Sequence, residues 1–398
     1  MKDAEASVLP DLVIAAERVF DGEEFHRNCS VVVRSGRISD VTSVTSPAVR
    51  QIRLPAGAIL APGFVDVQVN GGGGILLNDD PSAAAIARIA AAHRDVGGTT
   101  ALLPTLISDT RPAIQAAIDA VSAAIAAGVP GILGIHLEGP LLSPQRPGIH
   151  DPERLTQLMP GDIELLTSLG DRGITLVTLA PEVVPPGTVA ALVARGARVS
   201  AGHTADDGSA IREALEEGLT GFTHLFNAMS QLGPRASGAV GVAFTDDRAF
   251  AGIIADGHHV GDASLKVARR MMGTARLLLV TDAMPPVGER DACPTFTLFG
   301  QTIYREGDRL ASANGTLAGS ALTMAKAVRH MTTHGGASLA EALTMGSLTP
   351  ACFLQLDAQI GRAVPAHAAD LVALDSELNV LGTCIRGDWV SSGWSPHP

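Results

Sequence analysis

The sequence predicts an α/β protein: a (β/α)8 TIM-like barrel with a small β-sandwich domain formed by both chain ends. Three observations carry this. From residue 60 onward, eight short apolar runs rich in β-branched residues alternate with Ala-rich helical stretches. The two ends have a different texture, with short alternating strands and Gly-containing turns at 8–58 and again at 368–394. Aromatic residues are only 3% of the chain, so the core is built from small aliphatic side chains, as tightly packed α/β folds require.

The chain has 398 residues, enough for two or three average domains or for one barrel plus a smaller unit. The runs fall at 63–69, 99–104, 132–138, 174–180, 197–203, 221–224, 250–256 and 276–282. Near-continuous apolar strands indicate a parallel sheet buried on both faces. Helices are expected between them at 82–96, 111–127, 188–195, 208–217 and 262–272. Eight strand–helix repeats match the barrel in count and length. At the ends, strands are expected at 12–16, 30–33, 37–44, 369–374, 379–385 and 389–392. The expected division is 1–59 plus 365–398 for the sandwich and 60–364 for the barrel.

Composition narrows the function. With 46% hydrophobic and 18% charged residues the chain is not a disordered one. Its net charge of −12 argues against nucleic acid as a partner. The opening segment mixes acids into a short apolar stretch, and no later run spans a bilayer, so neither a leader nor a membrane anchor is expected. Four scattered cysteines without a C-x-x-C pair fit a reducing, cytoplasmic setting.

Barrel active sites form at the C-terminal ends of the strands. There the chain places Gln68 and Asn70 (first run), Glu138 (third), His203 (fifth), His224 (sixth), Asp256 with His258 and His259 (seventh) and Asp282 (eighth). Glu138, His203 and His224 make one carboxylate and two imidazoles, a common catalytic zinc set that leaves a position for water. Their spacings, 65 and 21 residues, are too long for a local motif, so only the barrel can unite them. Iron or manganese could occupy the same ligands. His136, two residues before Glu138, reads as a barrel-interior histidine. Asp282 follows five mostly apolar residues, a costly place for a charge unless it is paired or functional. Beside a metal it is the expected general base.

Several segments carry a resemblance in order: Pro62-Gly63-Phe64-Val65-Asp66, His136-Leu137-Glu138-Gly139-Pro140, Gly202-His203-Thr204, Thr223-His224-Leu225-Phe226-Asn227-Ala228-Met229, Ala255-Asp256-Gly257, Val280-Thr281-Asp282-Ala283 and Gly319-Ser320. Together they resemble the N-acetylglucosamine-6-phosphate deacetylase family of the amidohydrolase superfamily, along nearly the whole chain. The resemblance implies hydrolysis of the acetamide of N-acetyl-D-glucosamine 6-phosphate to D-glucosamine 6-phosphate and acetate, in amino-sugar catabolism and cell-wall sugar recycling. It also implies roles. The positions of Glu138, His203 and His224 bind one divalent metal, expected to be zinc, and that of Asp282 is the base. His150 polarises the substrate carbonyl or holds the sugar, and His259 faces the substrate. Asn227 and the backbone of Ala228 lie on the phosphate side. Arg235 reaches the phosphate from the partner subunit of a homodimer, an arrangement that suits a −12 chain binding an anion.

The chain departs from the family at four places. Gln68-Val69-Asn70 stands where many amidohydrolases have His-x-His, and neutral amides are poor zinc ligands. Arg146-Pro147-Gly148-Ile149-His150 replaces a common Lys-Gly-Ala-His, and Ala236-Ser237 replaces Glu-Pro. His258 stands where an aliphatic residue is usual. Three rivals remain: the same reaction on N-acetylgalactosamine 6-phosphate, a dihydroorotase-like cyclic amidase, and a non-catalytic sugar-phosphate-binding homologue. The absence of His-x-His and of a Lys in 174–180 weighs against the second. Retention of Asp282 weighs against the third.

Overall fold

The computed structural model describes residues 11–43, 48–289 and 293–392. The opening residues 1–10 and Val44, the end of one expected strand, lie outside them.

Eight parallel strands follow one another in strict sequence order: Phe64–Val69, Thr99–Ile107, Gly134–Glu138, Ile174–Leu179, Arg198–Ala201, Gly221–Phe222, Phe250–Ile253 and Leu277–Leu279. Each overlaps one expected run. A parallel bridge between Val69 and Ala283 joins the first strand to the segment after the eighth, and Asp282 N–H donates to Gln68 O at 3.0 Å. Asp66 strengthens this seam from inside. Its carboxylate is fully buried and accepts the Thr281 hydroxyl at 2.5 Å and the backbone N–H groups of Gln68 and Thr281. Burial pushes Asp66 up to about 7, against the pull of those donors.

Helices cover the outside. The first, Ala83–Gly97, starts where the Ser82 side chain accepts from Ala85 N–H and stops at left-handed Gly98. The second, Arg111–Ala126, is capped by Thr110 and has Pro at its first turn, where a missing N–H costs nothing. Both caps sit at the boundaries that the Ala-rich periodicity suggests. The barrel core joins strand residues such as Leu103, Ile135, Val177 and Val199 to helix residues such as Ile86, Ile118 and Leu192, nearly all aliphatic.

The two chain ends share one eight-stranded sheet. Leu371–Leu374 pairs antiparallel with Ile59–Pro62, which in turn pairs with Leu12–Phe20, so the C-terminal strands continue the N-terminal ones. A separate core of Leu12, Ile14, Val31, Val33, Ile52, Leu371, Cys384 and Trp389 draws on both ends. A four-stranded antiparallel sheet that the sequence does not predict, Thr295–Leu298, Gln301–Glu306, Arg309–Ser312 and Leu317–Ser320, is inserted after the eighth strand. Its strands are short; the first two are half-exposed, and the last two, though mostly buried, mix Arg, Ser and Gly into their four residues, so no hydrophobic run announces them. They return the chain to the barrel mouth at Gly319 and Ser320.

Candidate active site

The strand ends converge on a cavity of about 450 Å³, a size suited to a small polar ligand. Glu138, His150, His203, His224, Asn227, Ala228, His259 and Asp282 all line it. Arg235 does not; it lies on an exposed loop after the sixth strand. Arg146 is the one Lys or Arg among the described lining residues.

Three of the polar site side chains sit on left-handed backbone, as does Ala228. His203, His224 and Asp282 have φ of 46°, 33° and 52°, conformations that L-residues adopt at a cost. Each turns its side chain off the end of its strand and into the mouth. Two glycines make room: a Cβ on Gly148 would lie 3.1 Å from His203 Cε1, and one on Gly319 would lie 2.6 Å from Asp282 O.

Glu138 Oε1 lies 3.2 Å from His203 Nε2 and 2.9 Å from His224 Nε2, and the two ring nitrogens are 3.0 Å apart. His203 Nδ1 donates to Arg146 O at 2.8 Å, since a carbonyl only accepts. In the neutral ring that leaves a bare lone pair on Nε2, facing another acceptor, the Glu138 carboxylate. Such a cluster is repulsive unless a positive charge sits within it. His224 shows the same demand: burial works against its charge, but Glu138 outweighs burial and raises its affinity for a proton. Glu138, despite burial, is held well below the usual carboxylate range by the two imidazoles. The edges of a tetrahedron with bonds of about 2.0–2.1 Å are roughly 3.3 Å, close to these separations. The donor set therefore fits a divalent cation.

His150 also has a donor atom within 4.8 Å of those of Glu138 and His203, which makes it a competing ligand. Its partners argue otherwise. The Ser108 backbone N–H donates to His150 Nδ1 at 3.3 Å, and the Ser108 hydroxyl lies 2.8 Å from the same nitrogen. Nδ1 is thus the acceptor and the proton sits on Nε2, 4.0 Å from Glu138 Oε1. Burial, then the neighbouring His203, lowers His150 to about 3, so the ring is neutral. A neutral ring with its Nε2–H turned inward is a hydrogen-bond donor to a substrate oxygen.

Asp282 accepts from Asn70 Nδ2 at 2.7 Å and Gln68 Nε2 at 3.2 Å, both at Oδ1. Gln68 Nε2 also donates to Glu138 Oε2 at 3.0 Å. The two amides that displace His-x-His thus hold two carboxylates side by side and leave Asp282 Oδ2 without a hydrogen-bond partner among the described residues. Burial and the Glu138 charge push Asp282 up to about 6. Ser320 N–H donates to Asp282 O at 2.9 Å, which explains the Gly319-Ser320 segment.

His136 stays in the barrel interior, bonded to Thr178 Oγ1 at 2.8 Å, as the sequence suggests. Sequence reasoning missed the outer partners. Ser108 carries no signal beyond its place just past the second strand. Asp256 is visible as a strand-ending acid, but its role depends on a contact with His259 that only the fold shows.

A model of the amidohydrolase family matches residues 59–390. The chain is 42% identical over 381 residues to an N-acetylgalactosamine-6-phosphate deacetylase of a Shewanella strain, covering 95% of each. It is 36% identical over 380 residues to the N-acetylglucosamine-6-phosphate deacetylase of Homo sapiens, covering 90% of each. The crystal structure of N-acetylglucosamine-6-phosphate deacetylase from Pasteurella multocida superposes with a TM-score of 0.91 at 30% identity, covering 96% of this chain and 99% of that one. The agreement of family model, relatives and architecture over nearly the whole length means that the chain belongs to the amidohydrolase family.

Proposed function

We propose that this chain hydrolyses the acetamide of N-acetyl-D-glucosamine 6-phosphate, giving D-glucosamine 6-phosphate and acetate. One observation carries the reading: a cation-demanding Glu138–His203–His224 cluster stands beside an Asp282 whose Oδ2 is free, and beside an inward-facing His150 N–H. Glu138, His203 and His224 hold one divalent ion, for which zinc suits the ligands. Such an ion lowers the pKa of water and polarises a carbonyl. Asp282 takes the proton of the attacking water and returns it to the departing amine, which leaves poorly without it. His150 donates from Nε2 to the developing oxyanion.

The galacto epimer has its own support, since the 42% identical relative carries that name. The two sugars differ only at the C4 hydroxyl. The gluco reading predicts the higher kcat/KM for the glucosamine derivative; the reverse ratio assigns the enzyme to the galacto epimer.

One tightly held metal per chain is expected, because Gln68 and Asn70 spend their donors on carboxylates and offer no imidazole to a second ion. Elemental analysis should give about one equivalent, and two tight equivalents would contradict the single-ion reading.

Arg235 is expected to reach the substrate phosphate of a partner subunit, consistent with its place outside its own cavity. Arg235→Ala should raise KM far more for the phosphorylated sugar than for unphosphorylated N-acetylglucosamine. Sharing has a separate test. Asp282→Asn and Arg235→Ala chains, mixed and allowed to exchange, should recover activity at low substrate. A simple sum of the two despite proven exchange would confine Arg235 to its own chain. No helix among the described residues is long and apolar enough to cross a membrane. The four free cysteines fit a cytoplasmic setting.

A further inference from the structure

The loop after the seventh strand holds a buried Asp–His pair that the chemistry above leaves unused. Asp256 has a fully buried side chain, and the side chain of His259, three residues on, is 4% exposed at the cavity wall. The carboxylate divides its two oxygens. Oδ1 accepts the backbone N–H groups of His258 and His259, both at 2.8 Å, and so shapes the loop. Oδ2 lies 2.7 Å from His259 Nδ1 and takes no part in the bonds that close the loop. A loop closure needs only the first oxygen. The second makes a short, charge-assisted bond to one specific ring nitrogen, in a place where a buried charge is costly unless paired. An ionised carboxylate only accepts, so the proton of that bond belongs to Nδ1. The opposite edge of the ring, carrying Nε2, is then the one left for the cavity.

We infer that Asp256 is a positioning residue: it pins the His259 proton on Nδ1, so that Nε2 meets a hydroxyl of the bound sugar as an acceptor. The inference rests on the reading that a hexosamine phosphate occupies this cavity, but its first test does not. The arrangement parallels other sites where the partner of one ring nitrogen sets what the other can do.

Asp256→Asn separates the two roles of the carboxylate. The two loop N–H groups demand an oxygen, so the amide oxygen takes the Oδ1 place and the amide NH2 faces His259 Nδ1. Nδ1 must then accept, and the proton moves to Nε2. Loop shape is kept while the ring is inverted from acceptor to donor, the effect known from an Asp→Asn change in a catalytic triad.

The experiment uses full-length, metal-loaded protein with 15N-labelled histidine, the His259 signals being assigned by their loss in His259→Gln. The wild-type ring should carry its proton on Nδ1 and leave Nε2 bare, and Asp256→Asn should move the proton to Nε2. A proton on Nε2, or on both nitrogens, in the wild type would overturn the inference, whether or not the protein turns over any sugar and whether or not Asp256→Asn folds. In activity, Asp256→Asn should lower kcat/KM for the amino-sugar phosphate about 10-fold, because a sugar hydroxyl that donated to Nε2 must turn its own proton elsewhere and accept from Nε2–H instead. In the His259→Gln background the same change should cost less than about 2-fold, because a residue acting through another is not additive with it. Equal losses in both backgrounds would reduce Asp256 to a loop-shaping role. A wild type that releases no acetate would fail the deacetylase reading alone and leave the ring measurement to decide.

Discussion

Asp282→Asn is expected to give a folded, metal-loaded protein whose turnover is lower by about 10²–10⁴-fold, the usual cost of losing a general base. The geometry explains why this change is clean. The Asn70 and Gln68 amides demand an acceptor at Oδ1, so the new amide oxygen takes that place and its NH2 replaces the free Oδ2. The backbone of residue 282 keeps its bonds to Gln68 O and Ser320 N–H. The cation cluster keeps all three of its ligands. What disappears is the one oxygen able to take a proton from water and hand it to the amine. Turnover should be compared with circular dichroism and metal content on the same preparations. A variant retaining more than about a tenth of wild-type turnover would remove Asp282 from the base role.

Replacing His203 or His224 by Asn should abolish tight metal binding and, with it, nearly all activity. Outer partners of metal ligands typically cost 10–100-fold in affinity or activity when removed, and loss of a ligand itself should exceed that. His203 is the sharper case, because its Nδ1 bond to Arg146 O fixes which nitrogen faces the cluster. His136→Gln is the control. That ring is buried too, but it is tied to Thr178 inside the barrel and should leave the metal in place in folded protein. Metal retained by His203→Asn and lost by His136→Gln would mean that the ligand set has been misread.

Much of this site is legible in the chain because barrel geometry converts sequence position into space. A polar residue at the end of an apolar run has only one place to go, the C-terminal mouth, so Glu138, His203, His224 and Asp282 can be grouped across more than a hundred residues. The repeat itself shows in the apolar runs, whose ends fall close to the observed strand ends. Three things are not legible. The inserted sheet at 295–320 is built of short strands, two half-exposed and two with polar or glycine residues among buried ones, so it lacks the long apolar runs that mark the barrel. Gln68 and Asn70 read in the sequence only as the absence of metal ligands. Their function emerges from bonds to carboxylates 70 and 212 residues away. The partners that fix ring tautomers, Ser108 for His150 and Asp256 for His259, act through single hydrogen bonds that no spacing rule encodes.

Acetate release decides whether these residues together form a deacetylase centre. Wild-type protein loaded with zinc should convert N-acetyl-D-glucosamine 6-phosphate to acetate and free amine in equal amounts, well above a His203→Asn preparation treated in the same way. Acetate no higher than that control, from either this sugar or its galacto epimer, would contradict the account.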